Sequence, residues 1–382
     1  MRKLLLCIAA AFMFASCQKN STPSVEVQSL KTKNLGSNSL LCSPYTPGVD
    51  VYISDDQAVP SNSELGLAGY YKNGVFIRAT TDTLVSTSAT AVTVSGNDVY
   101  VTGSEVTKQF PHGQAAYWKN GVTHLLNYGL ATGEQTSVAY DLAVSGSDVY
   151  VIGVYTDPNA GHSSGIIWKN GVAHNLDFAG VNTFAYGLAV NGPDIYISGT
   201  STLTSANNLN TTATLWKNDV PKRLTCTGFS ASGLFGITIS GTDVYVTGIT
   251  YPAPNATTTA VYWKNGVQHF LGSNAIASDI AVNGGYAYVV GTQLFGNPQV
   301  FPLVTQAIYW KNDLSTFHNT QNFFGAKGGN GADYEGRRIV FDGSDLYLTA
   351  FQNPYLYLYK NGIPIRIATS QGAYGKLVVV HH

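Results

Sequence analysis

The chain is poor in charge. Asp, Glu, Lys and Arg make up 11% of its 382 residues, and the net charge is −1. Proteins hold nucleic acid chiefly through Lys and Arg on its phosphates, so no nucleic acid is expected as a partner. No strongly basic run suits an acidic membrane surface. Catalytic signatures are missing too: there is no Gly-x-Ser-x-Gly, His-Glu-x-x-His, Walker loop or EF-hand loop. The eight His comprise a terminal pair and others without ligand spacing. No metal and no cofactor are therefore expected.

What the chain has instead is repetition. Tyr/Trp-Lys-Asn recurs seven times, starting at Tyr71, Trp118, Trp168, Trp216, Trp263, Trp310 and Tyr359. The spacings are 47, 50, 48, 47, 47 and 49 residues. In five copies Gly follows; Asp219 and Asp313 replace it in the other two. A fixed period near 48 marks one supersecondary unit used repeatedly. A second motif keeps step: Asp-Val-Tyr-Val or a variant, as in Asp98-Val99-Tyr100-Val101, becoming Tyr286-Ala287-Tyr288-Val289 in the sixth copy. A short apolar run ending in Gly precedes it, such as Leu142 to Gly146, and another short run follows the Lys-Asn-Gly. β-branched and aromatic residues bounded by turn residues read as strands. Each unit is then four strands, A to D in chain order.

Asn-Gly between C and D suits a two-residue type I′ hairpin, which needs positive φ at both places. Ser-Gly-x-Asp between A and B is a second tight turn. Seven four-stranded antiparallel units predict an all-β, seven-bladed β-propeller. The first unit lacks an A strand, whereas Lys376 to Val380 is an A strand without a unit. The C-terminal strand is thus expected to complete the first blade and close the ring. All five Trp lie in the repeat and are expected to pack between sheets.

The two ends of the chain differ. Arg2 and Lys3 precede an apolar run from Leu4 to Ala15, too short for a membrane span and suited to a signal peptide over 1–16. Phe14-Ala15-Ser16-Cys17 resembles the lipobox of bacterial lipoproteins, with Phe in place of the usual Leu. The resemblance implies lipid on Cys17 and anchoring to a membrane, and Gln18 after it implies the outer membrane or cell surface. Residues 17–47 then form a polar tether, and residues 48–382 the ring. Cys42 and Cys226 are expected as separate thiols.

Function should lie in what does not repeat. B-to-C and D-to-A connections emerge on one face of a propeller, and these read as long and irregular, whereas the other face carries tight hairpins. Loops on a rigid scaffold are where binding residues gather. Candidates there are Phe110, His112, Tyr155, His162 and Tyr251, followed by Phe323, Phe324 and Tyr334. The stretch from His318 to Gly336 reads as the longest loop. The residues opening the A strands give a second set at the channel mouth: Asp141, Asp279, Arg338 and Lys376. They suit either a salt-bridge ring or, for the two carboxylates, acid–base chemistry. Asp55-Asp56 reads as a solvated acidic pair.

The repeats resemble those of secreted bacterial propellers in which a Trp-Lys/x-Asn/x-Gly hairpin alternates with an Ala-Val-Asn-Gly…Val-Gly strand pair; the HAF-type repeat is the nearest named pattern. They lack the Gly-His and Trp-Asp pairs of WD40 units and the double Gly of kelch units. The likeness covers residues 48–382 and implies architecture, since propellers host binding, scaffolding and catalysis alike. The expectation is a monomeric, lipid-anchored binding module that takes a glycan or a protein on its loop face without catalysis. The alternative is a surface polysaccharide hydrolase or lyase using Asp141 and Asp279.

Overall fold

The structure is a computed structural model describing residues 45–59, 62–82, 85–108, 110–128, 135–157, 162–176, 181–205, 208–224, 231–251, 258–295, 304–325, 334–369 and 375–382. The proposed signal peptide, Cys17, Cys42 and Cys226 lie outside these residues. Blade 1 starts with β1 (Val49–Val59), β2 (Asn62–Lys72) and β3 (Val75–Arg78). Blade 2 is β4 (Ser86–Ser95), β5 (Asp98–Val106), β6 (Gln114–Lys119) and β7 (Val122–Leu125). Blade 3 is β8 (Thr136–Ser145), β9 (Asp148–Asp157), β10 (His162–Lys169) and β11 (Val172–Asn175). Blade 4 is β12 (Val181–Asn191), β13 (Asp194–Ser205), β14 (Asn208–Lys217) and β15 (Val220–Arg223). Blade 5 is β16 (Ala231–Ser240), β17 (Asp243–Tyr251), β18 (Thr259–Lys264) and β19 (Val267–Ser273). Blade 6 is β20 (Ala275–Asn283), β21 (Tyr286–Phe295), β22 (Val304–Asp313) and β23 (Asn319–Phe323). Blade 7 is β24 (Tyr334–Asp342), β25 (Asp345–Gln352), β26 (Tyr355–Lys360) and β27 (Ile363–Thr369). The last strand, β28 (Leu377–His381), pairs with β1 and closes blade 1. The protein is thus a seven-bladed β-propeller with every sheet four-stranded and antiparallel.

The repeat motifs explain each blade. In blade 2, Asn120 adopts φ 48° at the head of the C–D hairpin. Its side chain accepts from Val99 N–H at 2.9 Å and donates to Asp98 at 2.7 Å. Lys119 pairs with the other Asp98 oxygen at 2.7 Å and lies 5.2 Å over the Tyr100 ring. The Lys-Asn pair therefore does more than turn the chain: it ties strand C to the Asp and Tyr of strand B. Blades 1, 3, 4, 5 and 7 show the same ties. Blade 6 departs: Tyr286 stands at the Asp position, and Lys311 sits 3.9 Å over its ring.

The five Trp are fully buried, as their recurrence predicts. Trp168 packs among Ala91, Tyr100 and Leu126 of blade 2 and Leu142 of its own blade. Its indole N–H donates to Asn127 C=O at 3.1 Å, so one residue both fills the interface and stitches two blades. The inner strand bulges near its middle in six blades, between Ala139 and Asp141 in blade 3, for example. The bulge pushes a carbonyl against strand B. A Cβ on Gly153 would stand 2.1 Å from Val138 C=O, which is why glycine ends the Val-Tyr-Val-x-Gly run.

Several expectations change. The stretch from His318 to Gly336 is not one loop, because β23 lies inside it. Asp313 in the glycine position gives up the two-residue turn; its Oδ1 instead accepts from Ser315 N–H, Ser315 Oγ and Thr316 N–H, and the turn lengthens. Asp55 and Asp56 sit in β1, with Asp55 buried, and are not a solvated loop. Nor are all B-to-C connections long: blade 7 turns tightly between Gln352 and Tyr355. In blades 3 and 4 strands B and C extend toward the loop face as paired ribbons, so Tyr155 is a strand residue.

Both ends of the ring lie at the hairpin face. Tyr45 packs beside Gly74 of the blade 1 hairpin, and Lys360 donates to Thr46 Oγ1. His382 contacts Asp50 at 2.6 Å.

Candidate functional site

The bulges build the site. The residue pushed out of each inner strand faces the loop-side mouth of the channel: Thr90, Tyr140, Tyr186, Phe235, Ser278 and Arg337 in blades 2 to 7. Together they line a cavity of about 530 Å³ that extends between blades 6 and 7 past Leu294, Thr305 and Glu335. Tyr140, Tyr186 and Phe235 come from three successive blades and form a continuous aromatic wall. Ring centroids are 5.8 Å apart for Tyr140–Tyr186 and 6.2 Å for Tyr186–Phe235. Phe184 stacks behind Tyr186 at 6.3 Å. Burial pushes the Tyr140 and Tyr186 phenols above their ordinary range, so both stay neutral donors. Across the cavity Arg337 pairs with Glu335. Thr90 anchors its own bulge by donating to Ala139 C=O of the next blade at 2.7 Å.

One residue deeper stand the four channel-mouth candidates, and the structure brings them together. Leu377 pairs with Ile53 as Leu142 pairs with Val151, which places Lys376 level with Asp141. Lys376 Nζ reaches Asp141 Oδ1 at 2.7 Å. Asp141 also accepts from its own neighbour Leu142 N–H at 2.8 Å and from Leu188 N–H of the next blade at 3.0 Å. Asp279 repeats the arrangement, accepting from Ile280 N–H at 2.9 Å and Ile339 N–H at 3.2 Å. Burial pushes the Asp279 carboxyl up, against the pull of Arg338 and of these amides. Arg338 donates to Gly375 C=O at 3.3 Å and also lines the cavity. Each carboxylate therefore clasps two neighbouring blades, with both oxygens engaged.

The loop candidates do not converge. Phe110, Phe324 and Tyr334 are buried; Phe324 packs edge-on against Tyr359 at 5.0 Å. Tyr155 packs on Tyr128 at 4.8 Å. Tyr251 ends β17, and His162 opens β10 opposite Asp157. Phe323 is 48% exposed and faces Phe295; His112 is exposed at a turn. Of the seven whose side chains are described, all but His162, none lines the central cavity. The aromatic wall lies outside the expected set, which comprised the residue opening each A strand. The position just before it holds Tyr140, Tyr186 and Phe235 in three successive repeats, a signal present in the sequence. Among the described residues no group of three or more His, Cys, Asp or Glu could hold a metal ion.

No family model matches the chain, and no curated protein matches it. Solved structures do. A Bacteroides uniformis protein described as a "putative 6-phosphogluconolactonase" is 13% identical, with a TM-score of 0.42, covering 87% of this chain and all of its own. The Bombyx mori GH32 β-fructofuranosidase is 10% identical, with a TM-score of 0.28, over 88% of this chain and 86% of its own. The Bacillus licheniformis GH43 endo-arabinanase is 11% identical, with a TM-score of 0.29, over 76% and 92%.

Proposed function

We propose that this propeller is a non-catalytic binding module that receives the end of a glycan in the cavity at the loop-side mouth of its channel. The observation that carries this reading is the wall of Tyr140, Tyr186 and Phe235 facing the Arg337–Glu335 pair. Sugar rings offer apolar faces that stack on aromatic side chains and hydroxyls that reach a polar opposite wall. A pit of about 530 Å³ with an aromatic wall and Arg337, Arg338 and Glu335 in its lining suits a chain end better than a broad protein surface. The hydrolase or lyase alternative would need Asp141 and Asp279 free to move protons, and their oxygens are engaged by backbone amides and, at Asp141, by Lys376. The cell-envelope setting rests on the lipobox resemblance at Cys17. The module acts as a monomer in this reading.

The test is a glycan array with the chain lacking residues 1–17, beside Tyr186→Ala and the Asp141→Asn/Asp279→Asn pair. The expected result is binding by the wild type, at least tenfold weaker for Tyr186→Ala, with every glycan left intact. Cleavage lost in the double variant would replace this reading with the enzyme. Silence across the array would replace it with a protein ligand.

A further inference from the structure

A second cavity, of about 410 Å³, lies between blades 1 and 2. It is lined by Asp56, Gln57, Gly66, Ser86, Thr87, Ser88, Ser104 and Val106. We infer that this notch is a second binding site, for a small organic ligand that carries an ammonium group.

The register shows why the notch exists. Three places recur at the junctions of blades 1 to 4: one on strand B, and a facing A–B pair on the next blade. At the junction of blades 1 and 2 they hold Asp56 and the pair Ser88 and Ser104, whose hydroxyls are 2.9 Å apart. At the next junction they hold Ser104, Val138 and Val154, and at the one after, Val154, Phe184 and Thr200. Apolar bulk fills those junctions. Here a carboxyl and two hydroxyls leave the space open.

The lining chooses the ligand. Among the described residues it presents one carboxyl and several hydroxyl oxygens, and no cationic side chain. Asp56 accepts from Ala89 N–H, and Gln57 commits its amide N–H to Tyr71 Oη at 2.7 Å. A carboxylate held away from water without a positive partner is unfavourable, and a bound cation removes that cost. Burial first, and the neighbouring charge of Asp55 in addition, push the Asp56 carboxyl up to about 7, with Ala89 N–H pulling the other way. Among the described residues, β4 and β5 turn hydroxyls and Val106 to the notch, and β2 brings Gly66. An ammonium group offers three N–H donors to such a set of acceptors. A calcium ion requires six to eight oxygens at about 2.3–2.6 Å, and a single carboxylate in a space this roomy does not supply that cage.

The experiment is calorimetric titration of the full chain in detergent with 6-amino-6-deoxyglucose, glucose and calcium chloride. The amino sugar should bind at least tenfold more tightly than glucose at pH 8. Its affinity should fall severalfold at pH 6, where Asp56 holds a proton while the amine stays charged. Asp56→Asn keeps an oxygen for Ala89 N–H and should lose the amino sugar's advantage without loss of melting temperature. Ser88→Val with Ser104→Val fills the notch as in blade 3 and should abolish binding. Tyr186→Ala should leave this binding unchanged, which separates it from the central cavity. Equal binding of glucose, calcium bound in place of the amine, or full affinity in Asp56→Asn would each overturn the assignment.

Discussion

Lys376 Nζ lies 2.7 Å from Asp141 Oδ1, joining the strand that closes blade 1 to blade 3 across the channel. The two residues are 235 positions apart, so this one ion pair fixes the end of the chain to its first half. It is largely shielded from water, with side-chain exposures of 28% and 12%. Losing the cation leaves a carboxylate held by two amides alone. Lys376→Met should therefore cost about 1–3 kcal/mol in urea-induced unfolding, the range for one lost partner of a sheltered charge-assisted bond. Asp141→Asn should unfold with a changed slope as well, if blades 3 and 4 separate before the rest. A Lys376→Met variant as stable as the wild type would show that strand pairing alone holds the closure.

Acid should loosen the same closure from its other side. Burial works against ionisation of Asp50, but bonds from Lys72, His382 and Asn73 outweigh it and hold the carboxyl down to about 2. The folded value lies below the ordinary 3.8, so the stabilisation is complete above about pH 4 and is lost as pH falls toward 2. Melting temperature followed from pH 5 to pH 2 should drop more steeply in the wild type than in Asp50→Asn. Parallel curves would mean that Asp50 is not held in the folded state as the geometry indicates.

The architecture was legible because each blade repeats its own chemistry. Asp98, Tyr100, Lys119 and Asn120 form one bonded set, so the two motifs had to recur together. The split first blade was visible too, since Lys376 to Val380 had no partner strands of its own. The site was less legible. Tyr140, Tyr186 and Phe235 reach the cavity only because a bulge turns them out of the pleat, and simple alternation along the strand does not reveal a bulge. Aromatics in connecting segments looked more promising, yet Phe110 is buried and Phe324 is buried between blades 6 and 7. Polarity misled in the same way at Asp55 and Asp56, which read as a loop and are part of β1.

The glycine beside each bulge gives a sharp structural test. A methyl group on Gly153 would meet Val138 C=O at 2.1 Å, and that carbonyl belongs to the bulged strand that carries Tyr140. Gly153→Ala should cost about 3 kcal/mol, at the upper end of what overpacking does. Gly146→Ala is the control. It has φ +60° and nothing within 4 Å, so only backbone strain of about 1 kcal/mol applies. Equal costs for the two would mean that the bulge yields easily, and the aromatic wall with it.

Asn120 separates the two roles of the hairpin asparagine. Its φ of 48° asks for a residue tolerant of the left-handed region. Its side chain also spans to Val99 N–H and Asp98. Asn120→Gly keeps the backbone and removes only the two bonds, which lie at an exposed edge; a loss of about 1 kcal/mol is expected. Asn120→Ala removes the bonds and adds strain, for about 2 kcal/mol in total. The neighbouring Lys119–Asp98 pair is more than a third exposed on both sides and should add little by itself. Thermal melts of the two variants read the difference directly. If Gly proved as costly as Ala, the cross-strand bonds would dominate, and the motif would be selected for tying C to B. If Gly matched the wild type, the turn alone would account for Asn at this place in the repeat.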